Sequence, residues 1–151
     1  MHAQRNCKLT ARQIATRIGS PITTVFAKIK RMEKLGIIRE YKAILDSKKL
    51  NSSITAFILA SVSYRTKNNT MPISQRNIAE EIAKFREAQE VHIIIGDWDL
   101  LIKLEAENVD AIGEFVIDKL RLVKGIERTL TCMVFETCKE TTEIPIRDTE
   151  K

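Results

Sequence analysis

The chain has 151 residues, 44% hydrophobic and 30% charged, which is the composition of an ordinary globular protein of one domain or two small ones. No run of about 18 apolar residues occurs, so no transmembrane helix is expected, and MHAQRNCKLT lacks the apolar stretch of a secretory signal. Three cysteines (Cys7, Cys132 and Cys138) without CxxC spacing point to free thiols in a reducing cytoplasm, and only two histidines, His2 and His92, argue against a zinc site.

Charge is unevenly placed. Residues 1–50 hold 12 Lys+Arg against 3 Asp+Glu, a net +9, while residues 51–151 hold 13 against 17, a net −4; together they give the chain's +5. Such asymmetry suggests a basic module that meets a polyanion. A merely solvated basic surface has the same totals, so the positions of the charges must decide.

In chain order, LTARQIATRIG at 9–19 reads as a short helix, with Thr10 as N-cap and Gln13 completing a capping box. Ile14 and Ile18 share one face, and Gly19 is a natural stop. Ser20 then opens a second helix with Pro21 at its first position, running to about Leu35 and closed by Gly36. Two helices joined by a tight glycine turn form a helix-turn-helix pattern.

In the second helix Val25, Ile29 and Met32 project together, with Leu35 nearby, and form the core side. Thr23, Ala27, Lys30 and Lys34 fall on the opposite side, flanked by Thr24 and Arg31, with Lys28 at its margin. Small and hydroxylic residues near the N-terminus of a helix let it approach base edges, and long cations further along reach phosphates. These seven are the candidate DNA-contacting residues. Residues 37–45, IIREYKAIL, are β-rich and are expected as a wing or a linker strand, where Arg39 and Lys42 either touch the DNA backbone or stay solvated.

Residues 46–53, DSKKLNSS, form a polar connection. From Ile54 the pattern alternates. A strand is predicted at 54–64, a loop at 65–73, and a helix at 74–86 capped by Ser74 with Ile78, Ile82 and Phe85 inward. A strand at 91–96, the turn Gly96-Asp97-Trp98-Asp99 and a strand at 100–105 follow. A helix at 108–122 turns Ile112, Phe115, Val116 and Leu120 inward; a last strand spans 126–138, and a loosely held polar tail covers 139–151. The order βαββαβ is the ferredoxin-like signature, so the expected class is α+β: a winged helix-turn-helix at 1–45 before a ferredoxin-like domain at 54–138.

Consecutive Ile93, Ile94 and Ile95, together with Phe57 and Ile58 and with Met133, Val134 and Phe135, put large apolar residues on both faces of the sheet. Two helices cover one face only. A homodimer that buries the other is expected.

Four segments carry a family resemblance: QRNCKLTARQIATRIG, TTVFAKIKRMEKLGII, GDWDLLIKL and IERTLTCMVFETCKET. In this order, across residues 3–141, the chain resembles the Lrp/AsnC (feast/famine) regulators of prokaryotes. The resemblance implies a recognition helix at 23–35 that binds double-stranded DNA, and an effector-binding and assembly domain at 54–138. It also implies dimers that join into tetramers or octamers and a free amino acid as effector; no metal or cofactor is expected. The effector would meet Gly96, Asp97 and Asp99 of the turn, and Thr129 and Thr131 of a neighbouring subunit. Trp98 would pack over the effector or seal a subunit interface. Independently, a glycine turn offers N–H groups to a carboxylate and an aspartate accepts an ammonium, although a plain hairpin turn uses the same residues.

The chain departs from the family at its start: MHAQRNC matches only the end of the family's first helix, so the groove at Ile14, Ile18, Val25 and Ile29 is expected to lack a cover. An upstream start, a trimmed chain and a partner that supplies the surface all fit. Two other functions share the architecture. One is a non-specific DNA-compacting protein; the other is an enzyme resembling sirohaem decarboxylases, for which His92 is the sole internal histidine. His92 is expected as a satisfied core residue, and the cysteines as small apolar ones.

Overall fold

The structure is a computed structural model that describes residues 4, 6–51, 54–63 and 74–145. The predicted loop at 65–73, the strand end at Tyr64 and the last six residues of the tail lie outside the described residues. The chain divides into two compact units: residues 1–45 with 139–151, and residues 46–138.

In the first unit, α1 spans Ala11–Ile18 and α2 spans Ile22–Lys34. Thr10 caps α1 with the reciprocal capping box to Gln13 that the sequence predicts. Gly19 ends α1 at φ 64, a left-handed conformation that glycine adopts without a Cβ penalty. Pro21, rather than Ser20, is the N-cap of α2, and it makes no side-chain capping bond. Proline lacks the N–H that a cap position leaves unused, so the helix begins one residue later than Ser20 would set it. At the other end Gly36 (φ 68) and Ile37 donate their N–H groups to Glu33 and Met32, a Schellman closure. Ile14, Ala15 and Val25 are buried, with Leu9, Ala11 and Ile29 packed against them. Ile18 (48% exposed) and Leu35 (62%) stay outside this small core, unlike the sequence expectation. Both sit at helix ends, where the short crossing no longer covers them.

Residues 37–45 form no strand. Among the described residues no second strand lies beside them, and a β-rich stretch without a ladder partner stays irregular. The segment is pinned instead by Tyr41, whose hydroxyl donates to Glu33 Oε1 (3.0 Å), and by the Lys42 carbonyl, which accepts from Cys7 Sγ (3.7 Å). The start of the tail is tied as well: Gln4 Nε2 donates to the Ile144 carbonyl at 2.9 Å.

The second unit opens with a 3₁₀ turn at Ser47–Leu50. Then come β1 (Ile54–Val62), α3 (Gln75–Ile82), β2 (Ala88–Ile93), β3 (Leu100–Ala106), α4 (Val109–Glu114) and β4 (Ile126–Met133). The sheet order is β2-β3-β1-β4 with every neighbouring pair antiparallel, as two interleaved βαβ units require. The helix predicted at 108–122 is α4 capped by Asn108, widening into a π turn at Phe115–Lys119 and tightening to 3₁₀ at Leu120–Leu122. That change of pitch still places Ile112, Phe115, Val116 and Leu120 inward. They meet Ile78 and Ile82 of α3 and the alternating rows Ala56, Ile58, Ala60 and Leu100, Ile102, Leu104. Phe85 and Phe115 stack edge to face at 5.7 Å.

Two strands depart most from the expected bounds. β2 begins at Ala88 and ends at Ile93, because its partner β3 begins only at Leu100 and the residues between them form the hairpin turn. Ile95 is fully exposed there, so the isoleucine run is not a two-faced strand; the open face of β2 presents Glu90 and His92. β4 stops at Met133, short of Cys138, with Val134 N–H making its last bond to Thr55 O. The open face of the sheet still carries an apolar centre, Phe57, Leu59, Leu101 and Leu130, in adjacent register. His92 is exposed and bonded to Glu90 (3.0 Å) rather than buried. The three cysteines are exposed too, since Cys132 points from an edge strand and the others lie outside the elements.

Candidate nucleic-acid and effector sites

All seven candidate DNA-contacting residues, Thr23, Thr24, Ala27, Lys28, Lys30, Arg31 and Lys34, are exposed on α2, while Val25 alone of that helix is buried. The helix is thus polarised as its periodicity demands. One cation is already engaged: Lys30 Nζ meets Glu33 Oε2 at 2.8 Å and lies 5.9 Å from the Phe26 ring. The Glu33 hydrogen bond raises the Lys30 pKa, and the Lys30 and Tyr41 hydrogen bonds hold the Glu33 carboxyl below its ordinary value. Burial, then the Glu33 hydrogen bond, pushes the Tyr41 hydroxyl up. The Lys30–Glu33–Tyr41 chain links the flank of α2 to the segment behind it. Its signal in the sequence is the i, i+3 spacing of Lys30 and Glu33; the Tyr41 partner could only come from the fold.

The turn 96–99 closes the β2–β3 hairpin, with Ile94 N–H donating to Asp99 O at 2.9 Å. Gly96 adopts φ 148, a region that side chains rarely enter. Its two aspartates have different work. Asp97 is exposed. Asp99 is part-buried, and its carboxylate accepts from Val62 N–H (2.7 Å) and Gln75 Nε2 (2.6 Å), while its own N–H donates to Ala60 O. It joins the end of β1 and the start of α3 to the turn. Charge-assisted bonds this short make Asp99 a scaffold for the turn.

Trp98 and Thr129 come together within one chain, in a cleft of about 590 Å³ lined also by Arg121 and residues 126–130. The Arg128 guanidinium lies 4.9 Å from the Trp98 ring. Thr131 is exposed further along β4, and neither it nor Gly96, Asp97 and Asp99 lines this cleft. The sequence reading missed Arg121 and Arg128. Arg128 adjoins Thr129, but its meeting with Trp98 depends on β4 reaching the hairpin end of the sheet, which no local pattern reveals.

Comparison with known families sets these sites in context. The family described as Lrp/AsnC ligand binding domain matches residues 55–144, and a winged helix-turn-helix DNA-binding family matches residues 2–39. The chain belongs to the Lrp/AsnC family. It is a transcriptional regulator by architecture, with a helix-turn-helix and an Lrp/AsnC ligand-binding domain. An HTH-type transcriptional regulator of Pyrococcus abyssi is 44% identical over 137 residues, covering 88% of this chain and 88% of that protein. The HTH-type transcriptional regulator FL11 of the same organism is 31% identical, with 95% of this chain and 89% of that one covered. Among solved structures, the regulator NMB0573 of Neisseria meningitidis in complex with L-Met has the same fold. Its TM-score is 0.87 at 24% identity, over 97% of this chain and 91% of that one. Within the Lrp/AsnC family the match at 55–144 takes in the 96–99 turn and the Trp98 cleft together. Among the described residues, no helix is long and apolar enough to cross a membrane, and no cluster of three or more His, Cys, Asp or Glu is placed to hold a metal ion.

Proposed function

We propose that this Lrp/AsnC protein is a sequence-specific DNA-binding transcriptional regulator, acting in the cytoplasm as a non-enzyme, whose assembly or DNA affinity responds to a free amino acid. The observation that carries the DNA half is the polarised α2, with seven small, hydroxylic or cationic residues on its exposed side. Thr23, Thr24 and Ala27 approach base edges, and Lys28, Lys30, Arg31 and Lys34 neutralise phosphates. Lys30 exchanges Glu33 for a phosphate on docking. The L-Met complex of the Neisseria regulator, a structural relative, supports an amino-acid effector.

In this reading the N–H groups around Gly96 receive the effector's carboxylate, the exposed Asp97 receives its ammonium, and Asp99 holds the turn. Trp98, in the turn itself, borders this region, and Thr129 and Thr131 are an adjoining subunit's contribution. A second copy covers the apolar centre of the open sheet face, Phe57, Leu59, Leu101 and Leu130, to give a homodimer able to build tetramers or octamers. The effector then shifts the balance between assemblies only as far as its affinities for them differ.

Binding to operator-bearing DNA, titrated against salt and against random competitor DNA, tests the first half. Arg31→Ala is expected to weaken binding and to reduce the salt slope by about one. Unchanged binding removes the α2 face from the interface, and equal affinity for random DNA makes the protein a non-specific DNA-compacting one. Light scattering with each of the twenty amino acids tests the second half. A mass or melting shift lost in Asp97→Ala supports the effector site; indifference to all twenty overturns it.

A further inference from the structure

The cleft beside Trp98 holds more positive charge than the reading above uses. Arg121, on the 3₁₀ turn after α4, and Arg128, on β4, both line it, against the single carboxylate of Glu127. Arg128 holds its guanidinium over the Trp98 ring, 4.9 Å from the centroid. A guanidinium held over an aromatic ring still has N–H groups to offer a further partner. Neither arginine has a hydrogen bond or ion pair among the described residues. Two guanidinium forks beside Thr129 make the cleft rich in donors.

We propose that this cleft is a carboxylate subsite, and that the effector is an acidic amino acid whose side-chain carboxylate is received by Arg128 and Arg121. The inference rests on the amino-acid reading of the 96–99 turn. Planar forks of this kind match a carboxylate in two parallel bonds. The Glu127 carboxylate on the same rim opposes a doubly charged phosphate more than a singly charged carboxylate, and so favours the latter. A neutral side chain entering the cleft would leave the guanidiniums unpaired, which is how a polar site rejects an isostere.

The test is a calorimetric and thermal-shift titration of the full chain with L-glutamate, L-aspartate, their amides, L-methionine, L-lysine and succinate. One of the acids is expected to bind at least about ten-fold tighter than its amide, as the loss of a charge-assisted contact implies. Arg128→Gln is expected to erase that preference, and Arg128→Lys to keep part of it, which separates charge from folding; Arg121→Gln serves if the Arg128 variant does not fold. Amides or methionine binding as tightly as the acids, or a preference that survives Arg128→Gln and Arg121→Gln, overturns the proposal. Neutral amino acids that bind through Asp97 and ignore both arginines would leave the amino-acid reading standing and sink this inference alone. Succinate that matches glutamate and depends on Arg128 would keep the carboxylate subsite and sink the amino-acid reading. Binding of nothing in the panel sinks this inference, and the twenty-amino-acid titration then decides the amino-acid reading.

Discussion

Among the described residues, the ligand-binding unit buries fourteen apolar side chains in one cluster, whereas the helix-turn-helix unit buries three, Ile14, Ala15 and Val25. Burial of a large apolar side chain stabilises by about 1.5–3 kcal/mol, so the first cluster can sustain its own unit and the second is marginal. The smaller unit leans accordingly on local devices: a capping box, a Schellman closure, the Glu33–Tyr41 clasp and the Gln4–Ile144 bond. A unit held by many weak bonds adapts its surface to a partner. A unit held by a core keeps a turn and a cleft in fixed geometry.

Four measurements break or sharpen that contrast. The largest effect is expected in the ligand-binding core: Leu104→Ala, at a side chain 1% exposed, should cost about 3 kcal/mol in chemical denaturation. A cost below about 1 kcal/mol would mean that the sheet core does not carry that unit. Next comes the scaffold of the turn. Asp99→Ala removes two short bonds to Val62 and Gln75 and should cost about 2 kcal/mol, while Asp97→Ala leaves the melting curve of the free protein in place. Equal effects at the two positions would erase the division of labour between them.

In the smaller unit, Thr10→Ala deletes the α1 cap and should cost about 1 kcal/mol, read as faster amide exchange confined to residues 11–18. Exchange that rises equally in the sheet would show the two units to be one cooperative body. The smallest effect belongs to the Lys119–Glu87 pair at 2.7 Å. The Lys119 hydrogen bond holds the Glu87 carboxyl below its ordinary value, against burial, which raises it. The folded value therefore lies below the unfolded one. The stabilisation is complete above the ordinary carboxylate range and fades as pH falls through the lowered value. Glu87→Gln should cost under about 1 kcal/mol at pH 7, with the gap to the parent protein closing in acid. A gap that widens on acidification would reverse the sign of the interaction.

Local pattern sufficed where one element decides its own fate. The Thr10–Gln13 box, the Gly19 and Gly36 stops, the polarity of α2 and the inward set Ile78, Ile82, Ile112, Phe115 and Leu120 depend on spacing alone, and their order along the chain implied the βαββαβ arrangement. Partners across space decided the rest. β2 starts at Ala88 because β3 is there to pair with it, and residues 37–45 stay irregular because no strand lies beside them. The four residues of the turn are visible in the sequence, yet only the fold separates exposed Asp97 from Asp99, clamped by Val62 and Gln75. The same holds for Arg128, whose meeting with Trp98 is fixed by the ladder between β1 and β4. Periodicity and capping are written in neighbouring residues, and so the sequence determines them by itself. Register, and which charged group finds a partner, depend on residues far apart in the chain, and so the tertiary structure decides them.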